Sequence, residues 1–202
     1  MNKKEINHSS AAHFLFSELE KYATIPVEER AKLIERTHLL SLRKDEYFLR
    51  QGDKPLRLAM ICSGIFRVFC NTESGDEKTL SFRTKGQFLA AYSPFLANQE
   101  TWYSIQALSD GEIIYFSLED YTTLLTSHSC WETVVKNYIL ELFFEKENRE
   151  RSFLLEDAKT RYLQFRKNLP ELEKSIPQFY IASYLGISPV SLSRIRSDLK
   201  KT

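Results

Sequence analysis

Trp131, Val134, Val135, Tyr138, Ile139, Leu142 and Phe143 stand at i, i+3, i+4, i+7, i+8, i+11 and i+12. No β-strand produces that spacing; on an α-helix it draws one unbroken apolar stripe. Neither Gly nor Pro interrupts the chain from Ser129 to Leu155, so one long helix is expected there. About 25 residues of helix span roughly 37 Å, more than a small β domain covers on one side. The seven side chains are therefore read as a dimer helix, with packing on the chain's own domain as the alternative. Their gross burial reaches about 10 kcal/mol at 1.5 to 3 each, before association costs. The charged stretch 145–151 on the same helix reads as a solvated face with i, i+4 pairing.

The rest of the chain is organised around that rod. Phe14, Leu15, Leu19 and Tyr22 recur at helical spacing, Pro26 opens a second segment, and Leu33, Ile34, Leu39 and Leu40 continue it, so two short helices are expected before residue 40. From Glu46 to Ser117 short runs of Phe, Ile, Val, Tyr and Thr are punctuated by Gly52, Gly64, Gly75, Gly86 and Gly111, which predicts an all-β stretch with corners of a rolled sheet. The turn residues 71–76, between Ile65–Cys70 and Thr79–Phe82, carry the best hairpin signal. The fold class is thus α+β: a β-roll with flanking helices, the long helix, and a helical carboxyl-terminal part. Its expected divisions are residues 1–128, 129–156 and 157–202.

Several function classes are excluded by simple counts. Of 202 residues, 43% are apolar and 27% charged, an ordinary globular balance. No apolar run reaches the roughly 20 residues of a membrane span, and the amino terminus lacks a signal-peptide core, so a cytoplasmic protein is expected. Cys62, Cys70 and Cys130 are an odd number at wide spacing, and His8, His13, His38 and His128 are scattered. Free thiols are expected, with no disulfide framework, metal centre or catalytic constellation. Charge is uneven: residues 157–202 hold nine Lys/Arg against four Asp/Glu, whereas residues 1–156 hold 19 against 23. The basic end is the carboxyl-terminal one, compatible with a phosphate-rich partner.

That end also holds the densest local pattern. Ala182 is small where a second helix must cross, Gly186 can take the positive φ that ends a helix, and Ile187 plugs the turn. Ser188 caps the next helix and Pro189 fills its first position. Leu192 and Ile195 then face inward. The reading is a helix-turn-helix. Its candidate DNA contacts are Gln178, Ser188, Val190, Ser191, Ser193, Arg194, Arg196, Lys200 and Lys201. Arg194 is expected to meet a base edge; Arg196, Lys200 and Lys201 are expected to meet phosphates.

Taken with these motifs, the chain resembles the Crp/Fnr family of bacterial transcription regulators, whose sensory domain is a cyclic-nucleotide-binding jelly roll. The resemblance spans nearly the whole chain and rests on Leu49-Arg-Gln-Gly52-Asp53, on Ile61-Cys-Ser-Gly64-Ile65-Phe-Arg67-Val68, and on Leu185-Gly186-Ile187-Ser188 leading to Ser193-Arg194. It implies a homodimer on double-stranded DNA, with RNA polymerase as a further partner and no enzymatic activity.

Departures from the family pattern are as informative. Gly86-Gln87-Phe88 introduces the nucleotide segment, but Ala90-Ala91 replaces the family's Gly-Glu and Thr101, Trp102 and Tyr103 replace its Arg-Ser-Ala. Without a paired cation, burying a phosphate costs several kcal/mol. Cyclic AMP is therefore not the expected effector; these eight residues are the effector-pocket candidates, and Trp102 and Tyr103, with Phe88, Tyr92 and Phe95, either fill the old pocket or line one for an apolar small molecule. Pro189-Val190 stands where the family often has Arg-Glu, and no full wing is expected after the second helix. A small-molecule sensor whose helix-turn-helix contacts protein instead of DNA is the alternative.

Overall fold

The computed structural model describes residues 8–201. Helices α1 (His8–Leu19) and α2 (Val27–Arg36) precede eight strands: β1 (His38–Leu42), β2 (Tyr47–Leu49), β3 (Arg57–Ser63), β4 (Phe66–Asn71), β5 (Glu77–Arg83), β6 (Phe88–Leu89), β7 (Ser104–Ala107) and β8 (Gly111–Ser117). A short helix, α3 (Tyr92–Ala97), lies between β6 and β7. Then come α4 (Leu118–Ser127), α5 (Ser129–Leu155), α6 (Ala158–Asn168), α7 (Pro170–Ser175), α8 (Gln178–Leu185) and α9 (Pro189–Lys201).

The strands form two four-stranded sheets, ordered β1-β8-β3-β6 and β2-β7-β4-β5. This is the jelly-roll arrangement, in which non-consecutive strands become neighbours. The chain must pass very close to itself at one corner: a Cβ on Gly64, whose φ is +97°, would lie 2.7 Å from the Cα of Gly111. No larger residue fits that crossing. The roll passes into α4 through a capping box, with Ser117 Oγ accepting from the Asp120 N–H and the Asp120 carboxylate accepting from the Ser117 N–H, both at 3.1 Å.

Two compact units emerge, the first comprising residues up to Val68 together with Phe82–Glu141, the second Phe69–Ser81 with the chain from Leu142 onward. In the first, one apolar cluster gathers Leu15, Leu33, Met60, Leu124, Trp131 and Val134, and another gathers Leu58, Phe95, Phe116 and Tyr121. The buried Glu29 carboxylate joins three helices of this unit. It accepts from Trp131 Nε1 and Ser127 Oγ, each at 2.7 Å, and pairs with Lys32. Chiefly through Lys32, and against the cost of burial, its pKa falls to about 2.

The second unit buries Tyr162, Phe165, Leu172, Ile181, Leu185 and Leu192. The tip of the β4–β5 hairpin belongs to it: the Thr79 N–H donates to Ser183 Oγ at 2.9 Å, and Ser183 Oγ donates to the Glu77 carbonyl at 3.2 Å. Periodicity along the hairpin carries no sign of that attachment.

Two sequence expectations are corrected here. Leu39 and Leu40 do not prolong α2; they lie in β1, paired with Ile114 and Ile113 of β8. A five-residue strand beside a helix shows too few residues for either period to declare itself. The first unit also ends near residue 141 instead of 128, because the root of α5 supplies Trp131 and Val134 to its core.

Candidate functional site

The turn between α8 and α9 is built from backbone chemistry. Gly186 takes φ +71°, the Ile187 N–H donates to the Ala182 carbonyl at 3.0 Å and the Gly186 N–H to the Ser183 carbonyl at 3.2 Å, which is a Schellman closure. A side chain at Gly186 would strike the Phe153 ring at 2.7 Å. Ser188 then opens α9, its Oγ accepting from the Ser191 N–H at 3.1 Å. With Leu192 fully buried, α9 presents Val190, Ser193 and Arg194 outward. These stand at i, i+3 and i+4, one face near the helix start, carrying a single guanidinium.

Not every expected contact lies on that face. Arg196 is turned inward, its Nη2 3.9 Å from a Glu173 carboxylate that also receives the Tyr162 hydroxyl and Arg166 Nε. The pair is at the limit of contact and leaves the guanidinium partly exposed. Ser191 is occupied by the cap, its Oγ 2.9 Å from Ser188 Oγ. Gln178, the first residue of α8, and Lys200 are exposed, and the Lys201 side chain lies outside the described residues.

Sequence reasoning missed a pair of arginines behind the turn. Arg149 Nη2 donates to the Tyr184 carbonyl at 2.9 Å, and Arg161 donates through Nε and Nη2 to the Leu185 carbonyl at 3.3 and 3.2 Å. Both cap the carboxyl end of α8, where cations are favoured. Their guanidiniums lie 4.8 and 4.9 Å from the centre of the Phe153 ring. Burial lowers the Arg149 pKa. The stretch 145–151 is thus not a uniformly solvated face: Arg149 is half-buried, and a charge pattern alone cannot say which member turns inward.

The segment expected to surround an effector is divided. Gln87 closes a turn, its Oε1 accepting from the Thr84 N–H at 2.8 Å just past the positive-φ Gly86. Thr101 is buried and clamps its own loop, donating to the Tyr103 carbonyl at 3.1 Å. The Tyr103 hydroxyl donates to the Ala90 carbonyl at 3.1 Å, and burial lifts its pKa to about 12, with Arg83 pulling the other way. Ala91 is buried, whereas Trp102 is 58% exposed and lines nothing. Of the eight, Phe88 and Ala90 line an apolar cavity of about 60 Å³ next to the root of α5.

The stripe on α5 is divided as well. Trp131 and Val134 are buried in the core of their own unit and are unavailable to a second chain. Tyr138 packs against Phe88 at 4.6 Å and Tyr22 at 5.8 Å between ring centroids. Val135 and Leu142 are half-buried, and Ile139 and Phe143 are exposed together with Leu140 and Phe144, which the stripe had not included. Among the described residues no group of acidic, His and Cys side chains could hold a metal ion, and no helix is long and apolar enough to cross a membrane.

Comparison with known proteins adds to this geometry. Residues 39–128 match the cyclic nucleotide-binding domain family. No curated protein matches the chain. Among solved structures, the c-di-GMP responsive global regulator CLP of Xanthomonas campestris is similar at 15% identity and a TM-score of 0.69, covering 87% of this chain and 92% of its own. FixK2 of Bradyrhizobium japonicum is similar at 16% identity and a TM-score of 0.66, covering 82% and 85%. The Thermus thermophilus catabolite activator protein is similar at 20% identity and a TM-score of 0.58, covering 91% and 87%. These likenesses show the fold, a cyclic nucleotide-binding roll followed by a long helix and further helices.

Proposed function

We infer that this chain, with a cyclic nucleotide-binding domain over residues 39–128, is a homodimeric DNA-binding transcription regulator of the Crp/Fnr type. The observation that carries the reading is the outward face of α9, where Val190, Ser193 and Arg194 follow a Schellman turn and a serine cap. A helix start with short groups and one guanidinium suits a major groove, where Arg can take guanine O6 and N7 together. Gln178 and Lys200 serve as phosphate contacts. The exposed row Ile139, Leu140, Phe143 and Phe144 is the surface on which a second copy pairs, giving two recognition helices on one operator. RNA polymerase is the partner through which such a cytoplasmic regulator acts.

Cyclic AMP is not its effector. Thr101, where the family places an arginine, bonds within its own loop, and the Tyr103 hydroxyl reaches the Ala90 carbonyl. Protein contact through α8 and α9 is the competing reading, favoured by the exposure of Phe179 and Val190. Gel shift with genomic fragments at stepped salt decides between them. DNA binding is expected to weaken steeply with salt; no retarded fragment in dilute buffer would remove the DNA reading. Titration with cyclic AMP is expected to leave the retarded fraction unchanged.

A further inference from the structure

We propose that the apolar cavity beside the root of α5, which takes Phe88 and Ala90 from the segment expected to surround an effector, is a binding site for a small neutral apolar molecule. The cavity measures about 60 Å³ and separates the cluster around Leu33 and Trp131 from the cluster around Leu58, Phe116 and Tyr121. Carbon atoms make up nearly all of its wall. Of the polar atoms borne by its lining residues, Trp131 Nε1 donates to Glu29 at 2.7 Å, and the hydroxyls of Tyr92 and Tyr121 are bonded to each other at 2.6 Å.

Water fits by size, since about 10 to 15 Å³ of such space holds one molecule, but a buried water needs two to four polar partners and the almost wholly apolar wall offers it none. An ion is excluded for the same reason. What remains is an uncharged apolar molecule of a few heavy atoms, smaller than the benzene that fills a cavity of about 150 Å³. The half-buried Ala90 and Val135 on its wall leave a way in. Two successive turns of α5, from Trp131 to Tyr138, form one side. An occupant bridges the two clusters and fastens the root of that helix to the roll; its regulatory consequence rests on the reading of the preceding subsection, whereas its binding does not.

The test uses the full chain, methyl-labelled, under xenon pressure. Methyls of Leu58 and Val135 are expected to shift and saturate with pressure, while those of Leu172 and Leu192 in the second unit stay unmoved. Ala90→Leu fills the space and is expected to weaken xenon binding at least about tenfold; Val135→Phe does the same should Ala90→Leu fail to fold. Shifts that grow linearly at all methyls alike, or that survive both filled variants, overturn the proposal. A chain that binds xenon but no DNA upholds the cavity and removes the regulator reading; one that binds DNA but not xenon removes the cavity alone.

Discussion

The root and the middle of α5 carry the same period of apolar residues and meet opposite fates. Trp131 and Val134 are buried in the core beneath the roll, whereas Ile139, Leu140, Phe143 and Phe144, about one to three turns beyond Val134, stand 39% to 59% exposed. Period reports only that a face is apolar. What covers the face is decided by where the neighbouring elements run out, and α1, α2 and α4 meet the helix only at its root. The same distinction recurs on α9, where Arg194 faces solvent and Arg196, two residues on, is drawn to Glu173.

The contrast is sharpened first at its buried end. Trp131→Ala removes an indole from a packed core and takes one of three partners from the Glu29 carboxylate, so a loss of about 3 to 5 kcal/mol in urea unfolding is expected. A change under about 1 kcal/mol would mean that the root of α5 is not core at all. At the exposed end, Phe143→Asp combined with Phe144→Asp is expected to leave the unfolding midpoint of the roll unchanged and to raise the dimer dissociation constant by about a hundredfold or more in sedimentation equilibrium. An unaltered dimer would place the second copy elsewhere.

On α9, Arg194→Ala is expected to cost about 1 to 3 kcal/mol of operator affinity and relax preference at one base pair, with unchanged melting. Arg196→Ala is expected to behave in reverse, lowering the melting temperature while sparing base preference; selection from a randomised operator distinguishes the two. The smallest effect concerns pH. Because the Glu29 pKa falls from the ordinary 4.5 to about 2, its stabilisation is complete above pH 4.5 and fades as pH drops toward 2. Glu29→Gln is expected to cost about 1 to 2 kcal/mol near neutrality. Acid titration of both proteins is expected to show that gap closing within this window; a gap constant down to pH 2 would deny Glu29 the role.

What was legible in the sequence was what short-range chemistry decides. The existence of α5 follows from its apolar period, the β4–β5 hairpin from its turn residues, and the α8–α9 turn from Gly186, Ser188 and Pro189 within a few positions of one another. What stayed hidden depends on partners distant in the chain. Arg149 and Arg161 turn toward carbonyls 35 and 24 residues away, and nothing in their neighbours' charges announces it. Glu29 looks like any acidic residue in a first helical turn until Trp131, 102 residues later, is brought against it. Strand β1 was lost because its pairing with β8, not its own composition, makes it a strand.

The Glu29 junction has a practical corollary for anyone dissecting the molecule. A fragment trimmed to residues 39–128, the stretch matching the cyclic nucleotide-binding domain, would discard both the carboxylate and the indole it grips. Met60, Cys62 and Ile114, inner residues of the roll, would then be laid bare to water. Such a truncation is better begun before α1 and ended no earlier than Glu141, so that the sheets keep the helical roof under which they fold.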